Sequence, residues 1–174
     1  MQLVILSGPP GAGKSATAEA LCERYDRMLH IEMSKLRDFL RMGLFRPWDT
    51  SAEARAQQRL FISAACGLAT QFLDAGYGVV IDDVVTSDDL PVYQRELATS
   101  GAVHFVVLLP GIELIRKRTG HVEADRLSAL HERFANWTDV AIVEPGDLAP
   151  QLVADRVMAL ASEGKALVSQ PPAA

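Results

Sequence analysis

Apolar positions along the chain follow two alternating rhythms, short continuous runs and longer stretches spaced by three and four. Leu3-Val4-Ile5-Leu6 is a continuous run of the kind that parallel sheets bury on both faces, and it predicts a first strand. From Lys14 to about Arg27 the pattern turns helical, with Leu21, Tyr25 and Met28 four and then three apart. Met28 to Met33 alternates weakly and reads as a second strand, after which Leu36, Phe39 and Leu40 set a short helix closed by Gly43 and Pro47. A long helix is predicted over Ala52 to Asp74, because Phe61, Ala64, Ala65, Leu68 and Phe72 fall on one face, with Gly76 and Gly78 ending it. Val79-Val80-Ile81 is a third strand stopping at Asp82-Asp83, and Val103 to Leu109 a fourth, stopped by Pro110-Gly111. Ile112 to about Arg118 and Ala124 to Trp137 are helical, Val140 to Val143 is a fifth strand, and Leu148 to about Ser162 forms a last helix. Such alternation predicts an α/β fold in which helices cover both faces of a parallel sheet, three layers in all.

Composition narrows this picture. The 174 residues, 49% of them apolar, suffice for one core. Charges sum to −5, which offers no basic surplus for a nucleic-acid backbone, so nucleic acid is not an expected partner. The longest wholly apolar runs, such as Phe105–Leu109, have five residues, far short of the roughly 20 that a membrane span needs. With no basic leader ahead of the first apolar run, a cytoplasmic location is expected and no membrane partner. Cys22 and Cys66 stand in alanine-rich stretches without metal-ligand spacing and read as buried small hydrophobes. His30, His104, His121 and His131 likewise have no partner at ligand spacing, and the sequence assigns them no role.

Of 12 Gly and 9 Pro, five crowd into Gly8-Pro9-Pro10-Gly11-Ala12-Gly13, directly after the first strand. With Lys14 and Ser15 these residues spell G-x-x-x-x-G-K-S, the P-loop pattern, in its required place between a strand and a helix. Pro9 and Pro10 lack an N–H and must occupy the rising side of the loop. Gly11 through Ser15 can offer backbone N–H groups to phosphate oxygens at a helix N-terminus. Lys14 is expected to bridge the β- and γ-phosphates, and Ser15 to offer its hydroxyl to Mg²⁺, making ATP and Mg²⁺ the expected ligands. A GTPase reading fails, because the sole asparagine, Asn136, precludes N-K-x-D and no D-x-x-G occurs. The chain is also too short for a motor ATPase domain with an added lid.

The P-loop at 8–15, the Val79–Val84 strand end and the arginine-bearing stretch Arg116–Arg133 together resemble small P-loop kinases of the nucleoside-monophosphate-kinase-like fold. The likeness is nearest to the chloramphenicol phosphotransferase-like and shikimate- and gluconate-kinase-like small-molecule kinases. It implies a five-stranded parallel sheet in the order 2-3-1-4-5 and a lid around Gly120 to Asp125. Residues 1–164 then read as a single P-loop kinase domain, with 165–174 as a tail expected to fray. The implied activity moves the γ-phosphoryl of ATP to a hydroxyl of an antibiotic, sugar-like or nucleoside-like small molecule. A nucleotide kinase and an ATP-binding regulator without transfer stand as alternatives.

Such kinases often end the second strand with Asp-x-x-Arg, the Asp acting as base. Here the four residues are Ser34-Lys35-Leu36-Arg37, so Glu32 and Asp38 become the substitute carboxylates. Asp82 is a further candidate, for Mg²⁺ or as the base, because the C-terminal strand ends of a parallel sheet face the ligand crevice. Asp83 either contacts substrate or, with Thr86, Ser87 and Asp88, caps the next helix. Among Arg116, Arg118, Arg126 and Arg133, the stretch matching the family's lid, Arg118 and Arg126 are expected to meet the transferring phosphoryl group and the other two to lie in surface ion pairs. Arg37, Arg41 and Trp48, beside Phe39, Phe45 and Arg46, are the expected acceptor contacts, suited to a ring or an anionic group.

Overall fold

The computed structural model describes residues 3–46, 48–120 and 124–168. Its elements are β1 Leu3–Ser7, α1 Lys14–Cys22, β2 Met28–Glu32, α2 Met33–Asp38, α3 Ala52–Asp74, β3 Gly78–Asp82, α4 Leu90–Glu96, β4 Val103–Leu108, α5 Ile112–Thr119, α6 Ala124–Ala135, β5 Ala141–Val143 and α7 Pro150–Ser162. The five strands form one parallel sheet in the order β2-β3-β1-β4-β5. This is the predicted three-layer α/β arrangement of a P-loop domain.

Every residue of β1 and β4 is buried, which is why both are apolar toward both faces, interrupted only by Ser7 and His104, rather than alternating. Side-chain alternation sends Leu3, Ile5, Ile81 and Phe105 to one face, where α3 supplies Ile62 and Ala65, α4 supplies Tyr93 and α6 supplies Phe134. It sends Val4, Leu6, Val80 and Val106 to the other, against Leu21 of α1 and Val153 and Val157 of α7. Cys22 and Cys66 are free thiols, and burial pushes that of Cys66 up to about 12. Among the described residues no helix is long and apolar enough to cross a membrane.

Three elements depart from the sequence pattern. The first helix stops at Cys22 rather than near Arg27, because Arg24 and Tyr25 close tight turns onto Leu21 and Cys22 and swing the chain into β2. The helix expected around Leu36–Leu40 begins at Met33 and ends at Asp38, leaving Phe39 79% exposed. The seven-residue α4 was not located, being too short to show a period. A fourth departure concerns the tail expected from Lys165. Ala166 is buried, its carbonyl accepts from the Phe105 N–H, and the Val168 N–H donates to Val103, so 165–168 runs along β4 instead of fraying. Residues 169–174 lie outside the described part.

One buried contact locks the sheet's ligand-facing end. The Ser7 hydroxyl, at the tip of β1, donates to the Val85 carbonyl (2.8 Å) and accepts from the Val85 N–H (3.0 Å). Together with the Asp83 N–H on Leu6 O, it ties the segment after β3 to β1. Ser7→Ala leaves two buried backbone groups unpaired, so it should cost about 2 kcal/mol. In a chain of this size that is a fall of roughly 4–8 °C in Tm, measurable by thermal circular dichroism.

Candidate active site

The loop between β1 and α1 turns on glycines with positive φ, 132° at Gly8, 77° at Gly11 and 92° at Gly13. Two of them are also sterically required. A Cβ on Gly8 would sit 2.1 Å from the Leu108 carbonyl oxygen, and one on Gly11 would sit 2.7 Å from Thr119 Cγ2. The loop is therefore pressed between β4 and α5. Helix α1 begins at left-handed Gly13 with no side-chain cap and no acidic residue in its first turn. Its N-terminal dipole and N–H groups are thus left for an anionic ligand.

Lys14 folds over this loop, its Nζ donating to Gly8 O at 3.0 Å and Pro9 O at 3.1 Å. Burial holds its pKa below the usual lysine value; the charges of Asp82 and Asp83 work against that shift and Arg37 adds to it. Ser15 follows in the first turn of α1, half-buried.

The two aspartates at the end of β3 diverge. Asp82 shares the sheet face of Val80, and its Oδ2 lies 2.6 Å from His30 Nε2. Parallel pairing sets Glu32 opposite Asp82 and His30 opposite Val80, so three ligand-type side chains converge with their atoms within 4.8 Å of one another. Glu32 also accepts from Ser34 Oγ (2.6 Å) and pairs with Lys35 Nζ (2.6 Å). Those two hydrogen bonds, Lys35 first, keep its carboxyl below the usual carboxylate range. Ser34, found where the family pattern has Asp, thus orients the neighbouring carboxylate.

Asp83 turns to the opposite face, where its side chain is 1% exposed. Arg37 grips it with both Nη atoms, at 2.9 and 3.3 Å, while donating to Gln58 Oε1 at 2.9 Å. The Tyr93 hydroxyl donates to Asp83 Oδ2 at 3.0 Å, and burial first, then the Asp83 charge, pushes the phenol well above its ordinary pKa. Asp83 is therefore not the expected helix cap. Asp89 is the residue before α4, and its carboxylate accepts from the Thr86 N–H and hydroxyl. Nor is Asp83 open to substrate, because the grip on Arg37 occupies it.

The arginines separate as well. Arg116 pairs with Glu113 and Arg133 with Asp88, both at the surface. Arg118 reaches the phosphate loop, its Nη1 donating to Gly11 O at 3.2 Å. Arg126 lies over the Trp48 ring at 4.7 Å, linking α6 to the segment between α2 and α3. Asp38 and Arg41 are exposed beside that segment. Of the expected lid, His121–Glu123 lie outside the described residues.

The structure thus gathers Glu32 and Asp82 with His30 on one face of the sheet and joins Asp83 to Arg37, Gln58 and Tyr93 on the other; the sequence assigns His30, Gln58 and Tyr93 no role. For His30 the available signal was its two-residue spacing from Glu32 on a strand, but only the β2–β3 register turns that spacing into contact with Asp82.

Fold and loop together define a P-loop domain with the architecture of small kinases. Residues 3–139 match the AAA_33 family, described as an AAA domain, and the chain belongs to it. No curated protein matches it in sequence. Among solved structures it superposes on the Deinococcus radiodurans tunicamycin resistance protein with a TM-score of 0.67 at 20% identity, over 99% of this chain and 100% of that one. Shikimate kinase from Acinetobacter baumannii, in complex with shikimate, gives 0.63 at 19% identity over 95% of each chain. APS kinase from Mycobacterium tuberculosis, in complex with AMPPNP and APS, gives 0.65 at 15%, over 92% of this chain and 98% of that one.

Breaking the Asp83 cluster should be costly. Asp83→Ala strands the Arg37 guanidinium and the Tyr93 hydroxyl and is expected to lose about 3 kcal/mol in urea unfolding. Asp83→Asn still accepts from Tyr93 and should lose less.

Proposed function

We propose that this protein is a phosphotransferase that uses ATP and Mg²⁺ to phosphorylate a hydroxyl of a small molecule. The observation that carries the reading is a phosphate-loop lysine whose ammonium feels the charge of Asp82 at the end of β3, where Asp82 gathers with Glu32 and His30, together with a helix N-terminus that has no side-chain cap. A phosphate loop alone would serve binding. Acidic groups at the adjoining strand ends add what transfer needs, an anchor for a cation and an acceptor for a proton.

In this reading the N–H groups of Gly11 to Ser15 hold the β- and γ-phosphates, and Lys14 leaves the Gly8 and Pro9 carbonyls to bridge them. Ser15 and Asp82 are hard oxygen donors and fit Mg²⁺, which when bound would neutralise charge on those phosphates. Glu32, kept ionised by Lys35 and Ser34, takes the acceptor's hydroxyl proton as the new O–P bond forms and the bond to the ADP oxygen breaks. Arg118, on the loop's outer side, stabilises charge on the group in transit.

The acceptor meets the segment after α2. Phe39 and Met42 are 79% and 85% exposed, with Leu44, Phe45 and Trp48 partly so. Arg126 and Arg46 lie near the Trp48 ring. This combination suits an acceptor with an apolar or aromatic body. Because Arg37 is committed to Asp83, the second arginine cluster that a nucleotide kinase requires is reduced to exposed Arg41.

The test is acceptor-stimulated ADP release across a panel of hydroxyl compounds. Lys14→Ala should abolish it. Glu32→Gln should lower kcat by about 10²-fold while Asp38→Asn leaves it near wild type, and the reverse order would overturn the choice of base. ATP binding without any acceptor response would favour the regulator instead. Trp48→Ala should raise the acceptor KM on the order of tenfold with kcat little changed, as loss of uniform binding does.

A further inference from the structure

We infer that His30, Glu32 and Asp82 form a second cation site, distinct in chemistry from the Mg²⁺ position at Ser15 and Asp82, that takes a borderline first-row ion such as Zn²⁺. The placement follows from strand geometry. His30 and Glu32 are two residues apart on β2 and so share a face, and the parallel register sets Asp82 of β3 directly beside Glu32. The three ligand atoms lie within 4.8 Å of one another, with His30 Nε2 and Asp82 Oδ2 at 2.6 Å.

With metal–ligand bonds of about 2.0–2.2 Å, ligand atoms around one ion stand roughly 3–4 Å apart, so a small opening of the His30–Asp82 contact admits it. Binding replaces the His30–Asp82 hydrogen bond, and any proton on His30 Nε2 leaves to solvent, since a ligating imidazole nitrogen must be bare.

Two features favour a borderline ion over Mg²⁺. An imidazole nitrogen suits Zn²⁺, whereas Mg²⁺ prefers an all-oxygen shell. Glu32 is also oriented from outside the site by Ser34 and Lys35, the kind of support that holds metal-ligating carboxylates in place. His30 and Glu32 are each 17% exposed at the side chain, which leaves an entry path and an open coordination position for water. An ion there would occupy both carboxylates assigned to transfer, so Zn²⁺ would act as an inhibitor competing with catalysis rather than as its cofactor.

The site rests on side-chain geometry alone, and its test uses no nucleotide or acceptor, so it can fail without the kinase reading and the reverse. The full chain, freed of metal by chelation, is titrated with Zn²⁺ by calorimetry in excess Mg²⁺ and with Co²⁺ by visible absorption. The expected result is one Zn²⁺ per chain that Mg²⁺ does not displace, and a Co²⁺ ligand-field band of low coordination number. His30→Gln and Glu32→Gln should each weaken Zn²⁺ binding by at least about tenfold. Cys22→Ser and His131→Gln, which alter other ligand-type side chains, should leave it unchanged. Thermal melts of the four variants establish that they are folded. Unaltered Zn²⁺ affinity in folded His30→Gln and Glu32→Gln would overturn the inference, as would displacement of Zn²⁺ by Mg²⁺ or loss of binding in Cys22→Ser.

Discussion

Burying an ammonium group is the constraint that the rest of this site answers. Lys14 has to sit beneath its own loop, where desolvation works against its charge. Two carbonyls of the loop accept its hydrogen bonds, and two aspartates at the end of β3 supply opposing charge. Those aspartates are buried in turn, and each needs partners of its own. Asp82 finds His30, while Asp83 finds Arg37 and Tyr93. A polar network thus crosses both faces of the sheet, joining β2, α2, α3 and α4 around the end of β3.

The network divides labour between the adjacent aspartates. Strand alternation points one toward the phosphate loop and the other toward the helix layer, so their roles cannot be exchanged. Asp82 stays beside Glu32 and His30, whereas Asp83 holds Arg37 of α2, which in turn reaches Gln58 of α3. The apolar segment after α2 then follows from where α2 stops. Arg37 points inward to Asp83, and the chain beyond Asp38 leaves α2 with Phe39 and Met42 in solvent.

Much of the architecture was legible because long-period signals are local. The near-continuous apolar runs of β1, β3 and β4, and the one-sided stripe of α3, each record how many faces an element buries. The P-loop was legible for a related reason: glycines that take positive φ and the lysine and serine that follow them stand at fixed spacing within eight residues. Less could be read where contacts cross the sheet. Beyond the two-residue spacing of His30 from Glu32, little in the spelling of His30, Gln58 or Tyr93 sets them apart, since each acquires its part from a partner 52, 21 and 10 residues away.

By itself, then, the sequence determined the layered parallel fold, the phosphate-binding loop and the set of charged residues available near it, because these depend on periodicity and on local backbone freedom. Tertiary structure decided which of those charges meet. Register placed Glu32 rather than Asp38 beside Asp82, and a one-residue difference in facing turned Asp83 from a presumed cap or substrate contact into the anchor of Arg37. The tail showed the same limit in reverse. Its few apolar residues cannot fold alone, yet the backbone of β4 offered a free edge on which residues 165–168 could pair.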